Sequence, residues 1–116
     1  MAKKKLVILI KSNPFGWKTF EALRMSVGLA LDHEVSVVFI KNGVYALTDW
    51  KPELIGVEPL DKSIESLSML NGKIYVEEEG LRERGIKLKN WDAKIEILPY
   101  DELVDIINSA EVIMSW

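Results

Sequence analysis

The chain has 116 residues, 48% hydrophobic and 28% charged, with a net charge of -3, a sequence pI near 5.2 and no cysteine. That is the size of one domain, spanning 1–116, able to bury roughly two-thirds of the surface its unfolded chain exposes. The acidic balance, with basic residues scattered among acids, excludes direct nucleic-acid binding by phosphate neutralisation; the missing thiol excludes a thiolate nucleophile or a persulfide carrier. After Lys3-Lys4-Lys5 the apolar run LVILI is too short for a signal peptide or a membrane span. The lysines read as the solvated flank of a first strand, and a cytoplasmic location without membrane association is the default. Plentiful lysine and glutamate with no glutamine hint at a thermophilic source.

Lys5 to Ile10 is a continuous apolar run, as expected of a strand covered on both faces. The turn-rich SNPFG leads into a helix in which Phe20, Leu23, Val27, Ala30 and Leu31 recur at three- and four-residue steps, ending at Asp32-His33. Val35 to Ile40 is a second buried strand, completing a right-handed βαβ unit. Asn42-Gly43 suits a hairpin turn or the start of a short helix over Val44 to Leu47. The following TDWKPELIG does not alternate like a return strand, which favours the helix. Asp49 to Gly56 is the least regular stretch and the candidate mobile loop.

Leu60, Ile64, Leu67 and Leu70 mark an amphipathic helix with a left-handed stop at Asn71-Gly72. Lys73 to Val76 is a third strand, Glu77 to Arg84 a short helix closed by Gly85, and Ala93 to Leu98 a fourth strand. Tyr100 to Asn108 is a helix with Asp101 and Glu102 near its positive end. Ala110 to Trp116 is a last apolar strand. This alternation predicts an α/β fold: an open, mainly parallel sheet of about five strands with helices on both faces.

Such sheets bind ligands beyond the carboxyl ends of their strands. The candidate pocket therefore comprises Ser12, Asn13 and Gly16 after the first strand, Asn42 and Gly43 after the second, and Glu77 after the third. KSNPFGWK could cradle an anion ahead of a helix, yet it lacks both GxGxxG spacing and a Walker lysine. The commoner reading is a capped turn, with Ser12 or Asn13 satisfying the helix end. Asn42-Gly43 carries no nucleophile and reads as structural.

Glu77, Glu78 and Glu79 point about 100° apart on a helix, so they cannot converge on one ion, and no histidine lies near to complete a metal set. Acids there favour the helix dipole, and Glu78 is spaced to pair with Arg82. A metal- or acid-dependent enzyme built on this run is the weakest reading. His33, with no serine–acid partner, reads as a surface or capping residue. Trp17 and Trp50, in loop-like or helix-start contexts, are candidate interface residues.

LVILIKSNPFG, VSVVFIKNGVYAL, KIYVEEEGLRERG and the terminal EVIMSW, in this order and spacing, resemble the DsrE/DsrF-like superfamily over nearly the whole chain, and its TusC/DsrF branch most. The resemblance implies a three-layer α/β/α domain that assembles with siblings. TusB, TusC and TusD pass persulfide sulfur toward tRNA thiolation, and DsrE, DsrF and DsrH form the equivalent assembly in sulfur oxidisers. The transfer cysteine belongs to the TusD/DsrE-type subunit and the TusC/DsrF type is mainly structural. Many TusC/DsrF members keep a cysteine where the third strand meets its helix, and Glu77 is the matching position here. The implied protein is a non-catalytic sulfur-relay subunit, without cofactor or metal, whose partners are cysteine-bearing DsrE/TusD-like and DsrH/TusB-like siblings. The alternative is a standalone homo-oligomer holding a small ligand at the strand ends.

Overall fold

The computed structural model describes residues 3–57 and 59–116. Its strands are β1 (Lys5–Ile10), β2 (Glu34–Phe39), β3 (Lys73–Glu77), β4 (Glu96–Leu98) and β5 (Val112–Ser115). They form one parallel sheet in the order β4-β3-β2-β1-β5. The helices are α1 (Trp17–Ala30), α2 (Asp61–Met69), α3 (Glu78–Arg84) and α4 (Tyr100–Asn108). Strand side chains alternate between the two faces. Leu6, Ile8, Ile10, Val37, Phe39, Ile74 and Val76 meet Ala22 and Leu23 of α1 and Ile64 and Leu67 of α2. Val7, Val38 and Ile40 meet Leu103 of α4 on the other side. The result is the expected three-layer α/β/α arrangement.

The α1 stripe differs from its sequence reading. The buried positions are Thr19, Ala22, Leu23 and Ser26, whereas Leu31 lies past the helix and is exposed. Small residues let the helix lie close to the sheet, and their hydroxyls are satisfied locally. Ser26 donates to the Ala22 carbonyl at 2.7 Å and Thr19 to that of Asn13 at 3.2 Å. Residues Lys41–Leu47 form a 3-10 helix and not a hairpin. The next strand runs parallel to β2, and a two-residue turn can join only antiparallel strands. The loop that follows holds one short 3-10 turn, Pro52–Leu54.

Asn71 is left-handed at φ 65 and Gly85 at φ 61, so both helix stops sit where the sequence places them. The fourth strand is shorter than its apolar pattern. Ala93 and Ile95 pack against the core, but the ladder to β3 begins only at Glu96.

Candidate functional site at the carboxyl ends of the strands

The chain leaves β2 through a left-handed residue, Lys41, at φ 51. A lysine disfavours this conformation, so surrounding contacts must hold it. One is at the end of β3, where the Glu77 carboxylate accepts the Lys41 backbone N–H at 3.1 Å. The other is Gly43, whose N–H donates to Ile40 at 2.8 Å. A Cβ at Gly43 would sit 2.2 Å from the Ile10 carbonyl oxygen. The 3-10 helix is thus seated directly on the end of β1, a contact only glycine permits. Arg84 reaches from the last turn of α3 to Asn42, donating to its side-chain oxygen at 3.1 and 3.3 Å, and also donates to the Gly80 carbonyl at 3.2 Å.

The three glutamates diverge. Glu77 holds the loop after β2, and Glu78 pairs with Arg82 at 3.4 Å as its spacing predicts. Glu79 accepts the Tyr100 N–H through both oxygens, at 3.0 and 3.1 Å. Tyr100 opens α4, whose own N-cap, Pro99, offers no side-chain cap. A carboxylate from α3 therefore supplies the anion that α4's first turn favours. The Tyr100 N–H, then the glutamate's own N–H, with Arg82 contributing, holds the Glu79 carboxyl below its ordinary value.

At the β1 end, Asn13 accepts the Phe15 N–H at 3.0 Å and closes a tight turn. The N-cap of α1 is Gly16, with no side-chain cap, so neither Ser12 nor Asn13 caps the helix through its side chain. The turn presents Phe15 edge-on to Trp50, 5.7 Å between ring centroids, and 6.3 Å from Tyr45. Trp17 is 66% exposed beside a cavity of about 230 Å³ lined by Gly16, Phe20, Gly56 and Val57. Trp50 is half-buried, its indole donating to the Ala46 carbonyl at 3.3 Å.

The model of the DsrE/DsrF-like family matches residues 4–116. The chain belongs to the DsrE/DsrF-like family. It is 29% identical to the intracellular sulfur oxidation protein DsrF of Allochromatium vinosum, over 94% of this chain and 87% of that protein. Its fold matches the crystal structure of the YchN protein of E. coli with a TM-score of 0.83 at 24% identity, covering 97% of this chain and 99% of that one.

Within this DsrE/DsrF-like fold, the candidate pocket residues Ser12, Asn13, Gly16, Asn42, Gly43 and Glu77 lie together at the carboxyl ends of β1, β2 and β3. Sequence reasoning missed Lys41, Glu79 and Arg84. Arg84 and Asn42 lie 42 positions apart, and Glu79 and Tyr100 lie 21 apart, so no local spacing announces either contact. The left-handed lysine carries no sequence signal either. His33 is a surface partner whose Nδ1 accepts the Lys4 N–H at 3.1 Å. At the opposite, amino ends of the strands, a cavity of about 270 Å³ opens between Lys5, Ser36, Lys73 and Tyr75, below Ile106 of α4.

Proposed function

We propose that this chain is a non-catalytic, TusC/DsrF-like subunit of a cytoplasmic sulfur-relay hetero-oligomer. The observation that carries the reading is Glu77. It stands where the family resemblance puts a thiol, and its carboxylate is engaged in holding the Lys41 amide. With no cysteine anywhere in the chain, sulfane sulfur has no side chain to ride on. Similarity to a protein named for intracellular sulfur oxidation supports the pathway class and favours it over tRNA thiolation. Among the described residues no helix is long and apolar enough to cross a membrane, which accords with a cytoplasmic assembly.

The partners on this reading are a cysteine-bearing DsrE/TusD-like sibling and a DsrH/TusB-like sibling. The contact surface is the apolar patch at the carboxyl end of the sheet. Phe15 and Trp17 are exposed there with Trp50 at the margin, and the exposed Leu54 and Ile55 directly precede Gly56 and Val57 of the cavity beside Trp17. Aromatic anchors of this kind supply much of the energy of protein interfaces. The reading of a small-ligand pocket has less support, because Asn42, Gly43 and Glu77 are engaged with the protein itself.

Co-expression with a cysteine-bearing DsrE-like protein tests the proposal. A stable hetero-oligomer is expected, weakened at least tenfold in affinity by Trp17→Glu, with labelled sulfane sulfur confined to the sibling. Labelled sulfur retained on this chain after purification alone would overturn it.

A further inference from the structure

The two edges of the sheet are finished differently. β4 is three residues long, ends at Pro99, and carries Glu96 paired with Lys94 at 3.7 Å. Shortness, charge and an adjoining proline are ways of keeping an edge from pairing with another strand. β5, at the other edge, is also short at four residues, but it has neither a charged side chain within it nor an adjoining proline. From Val112 through Trp116 the sequence VIMSW holds no charge, proline or glycine.

The edge it offers is regular and firmly held. Trp116 donates its N–H to the Leu9 carbonyl at 2.8 Å and accepts the Lys11 N–H at 2.9 Å. Backbone groups alternate in direction along a strand. Val112, Met114 and Trp116 therefore face β1, while the N–H and C=O groups of Ile113 and Ser115 face outward, where the sheet stops. The side chains of Val112, Met114 and Trp116 pack partly against the core beside α1 and α2, which fixes the strand in place. Ile113 is 49% exposed and Ser115 is exposed.

We propose that β5 is an assembly seam, pairing antiparallel with β5 of a second copy of this chain so that the two sheets run on as one. A twofold seam requires a strand that complements its own reverse. With Met114 opposite Met114 of the second copy, Ile113 falls opposite Ser115 and Ser115 opposite Ile113. Each of these pairs exchanges two N–H···O=C bonds and uses the outward backbone groups of both residues. Val112 then meets Trp116, a β-branched residue against an aromatic, a favourable cross-strand pair. No charged side chain lies inside the paired segment, so no like-charged side chains are opposed. A charged or proline-bearing partner strand would lose these matches. The seam involves neither Glu77 nor the aromatic patch, so it stands apart from the sibling contact and goes beyond it.

The test is sedimentation of the full chain alone, with amide hydrogen exchange read at Ile113 and Ser115. Two variants accompany it. Ile113→Lys places a charge on the edge, and Ile113→Pro removes an outward N–H that the ladder to β1 does not use. The wild type should be a dimer with both amides protected. Either variant should be monomeric, with an unchanged far-ultraviolet spectrum and at least a tenfold weaker association. Three results would overturn the seam: a monomeric wild type, a dimer indifferent to both variants, or free exchange at Ile113 and Ser115 within the dimer. Protection that arises only when a sibling is added would equally overturn the second copy as occupant and give the edge to the sibling. Loss of sibling binding by Trp17→Glu leaves this result untouched, so failure of one reading is separable from failure of the other.

Discussion

The two ends of the sheet are built in opposite ways. At the carboxyl ends, where parallel sheets usually hold ligands, the polar groups turn inward. Glu77 holds Lys41, Arg84 holds Asn42, and Gly43 rests against the Ile10 carbonyl with no room for a methyl group. At the amino ends a cavity remains open, lined by Lys5, Ser36, Lys73 and Tyr75. A fold that elsewhere places chemistry at the first end has here made it a braced platform, rimmed by exposed Phe15 and Trp17. Tight packing and satisfied polar groups make a surface for contact; a carrier site needs an accessible nucleophile. The carboxyl end has braced loops and no cysteine to act as a thiolate.

The contrast breaks most readily at Gly43. Gly43→Ala places a Cβ against backbone that cannot yield, and should cost about 3 kcal/mol in urea unfolding. A change under about 0.5 kcal/mol would show that the platform is loosely seated. Glu77→Ala should cost about 1 kcal/mol and speed exchange of the Lys41 amide, while Glu77→Gln keeps an acceptor and most of the protection. Equal behaviour of the two variants would mean that the hydrogen bond does not hold the loop.

The Glu79 contact sharpens the picture through pH. The folded-state value of its carboxyl lies below the ordinary 4.5, chiefly through the Tyr100 N–H. The stabilisation it gives is therefore complete above the ordinary value and is lost as pH falls through that value toward the folded one. Glu79→Gln should flatten the acid limb of a stability–pH profile, and an unaltered limb would remove Glu79 as the cap of α4. At the open end, Tyr75 is half-exposed, and burial together with Glu96 raises its phenol pKa. Tyr75→Phe should change stability by less than about 0.5 kcal/mol. A larger loss would reveal a polar network at this end too.

Most of the frame was legible in the sequence because it rests on periodicity and punctuation. The apolar runs of β1 and β2, the left-handed Asn71 and Gly85, and the bounds of α4 all follow from local pattern. What was not legible depends on neighbours distant in the chain. Lys41 adopts a left-handed backbone with Glu77 and Gly43 holding it from other elements. The buried stripe of α1 runs through Thr19 and Ser26, which hydropathy alone assigns to solvent, because nearby backbone carbonyls accept their hydroxyls and remove the cost of burying them. The fourth strand is cut to Glu96–Leu98 although β3 runs back to Lys73 beside it, so the apolar pattern alone does not set where the ladder begins. At the candidate site the loops could be read from sequence, but the direction in which their side chains turn could not.

The central claim is that this family member holds a complex together without carrying sulfur. Native mass spectrometry of the protein, gently withdrawn from its source cells, tests that most directly. The expected spectrum is a hetero-oligomer containing a small cysteine-bearing DsrE-like sibling, with any added sulfur mass on that sibling. A homo-oligomer with no sibling, or an added sulfur mass on this chain, would contradict it.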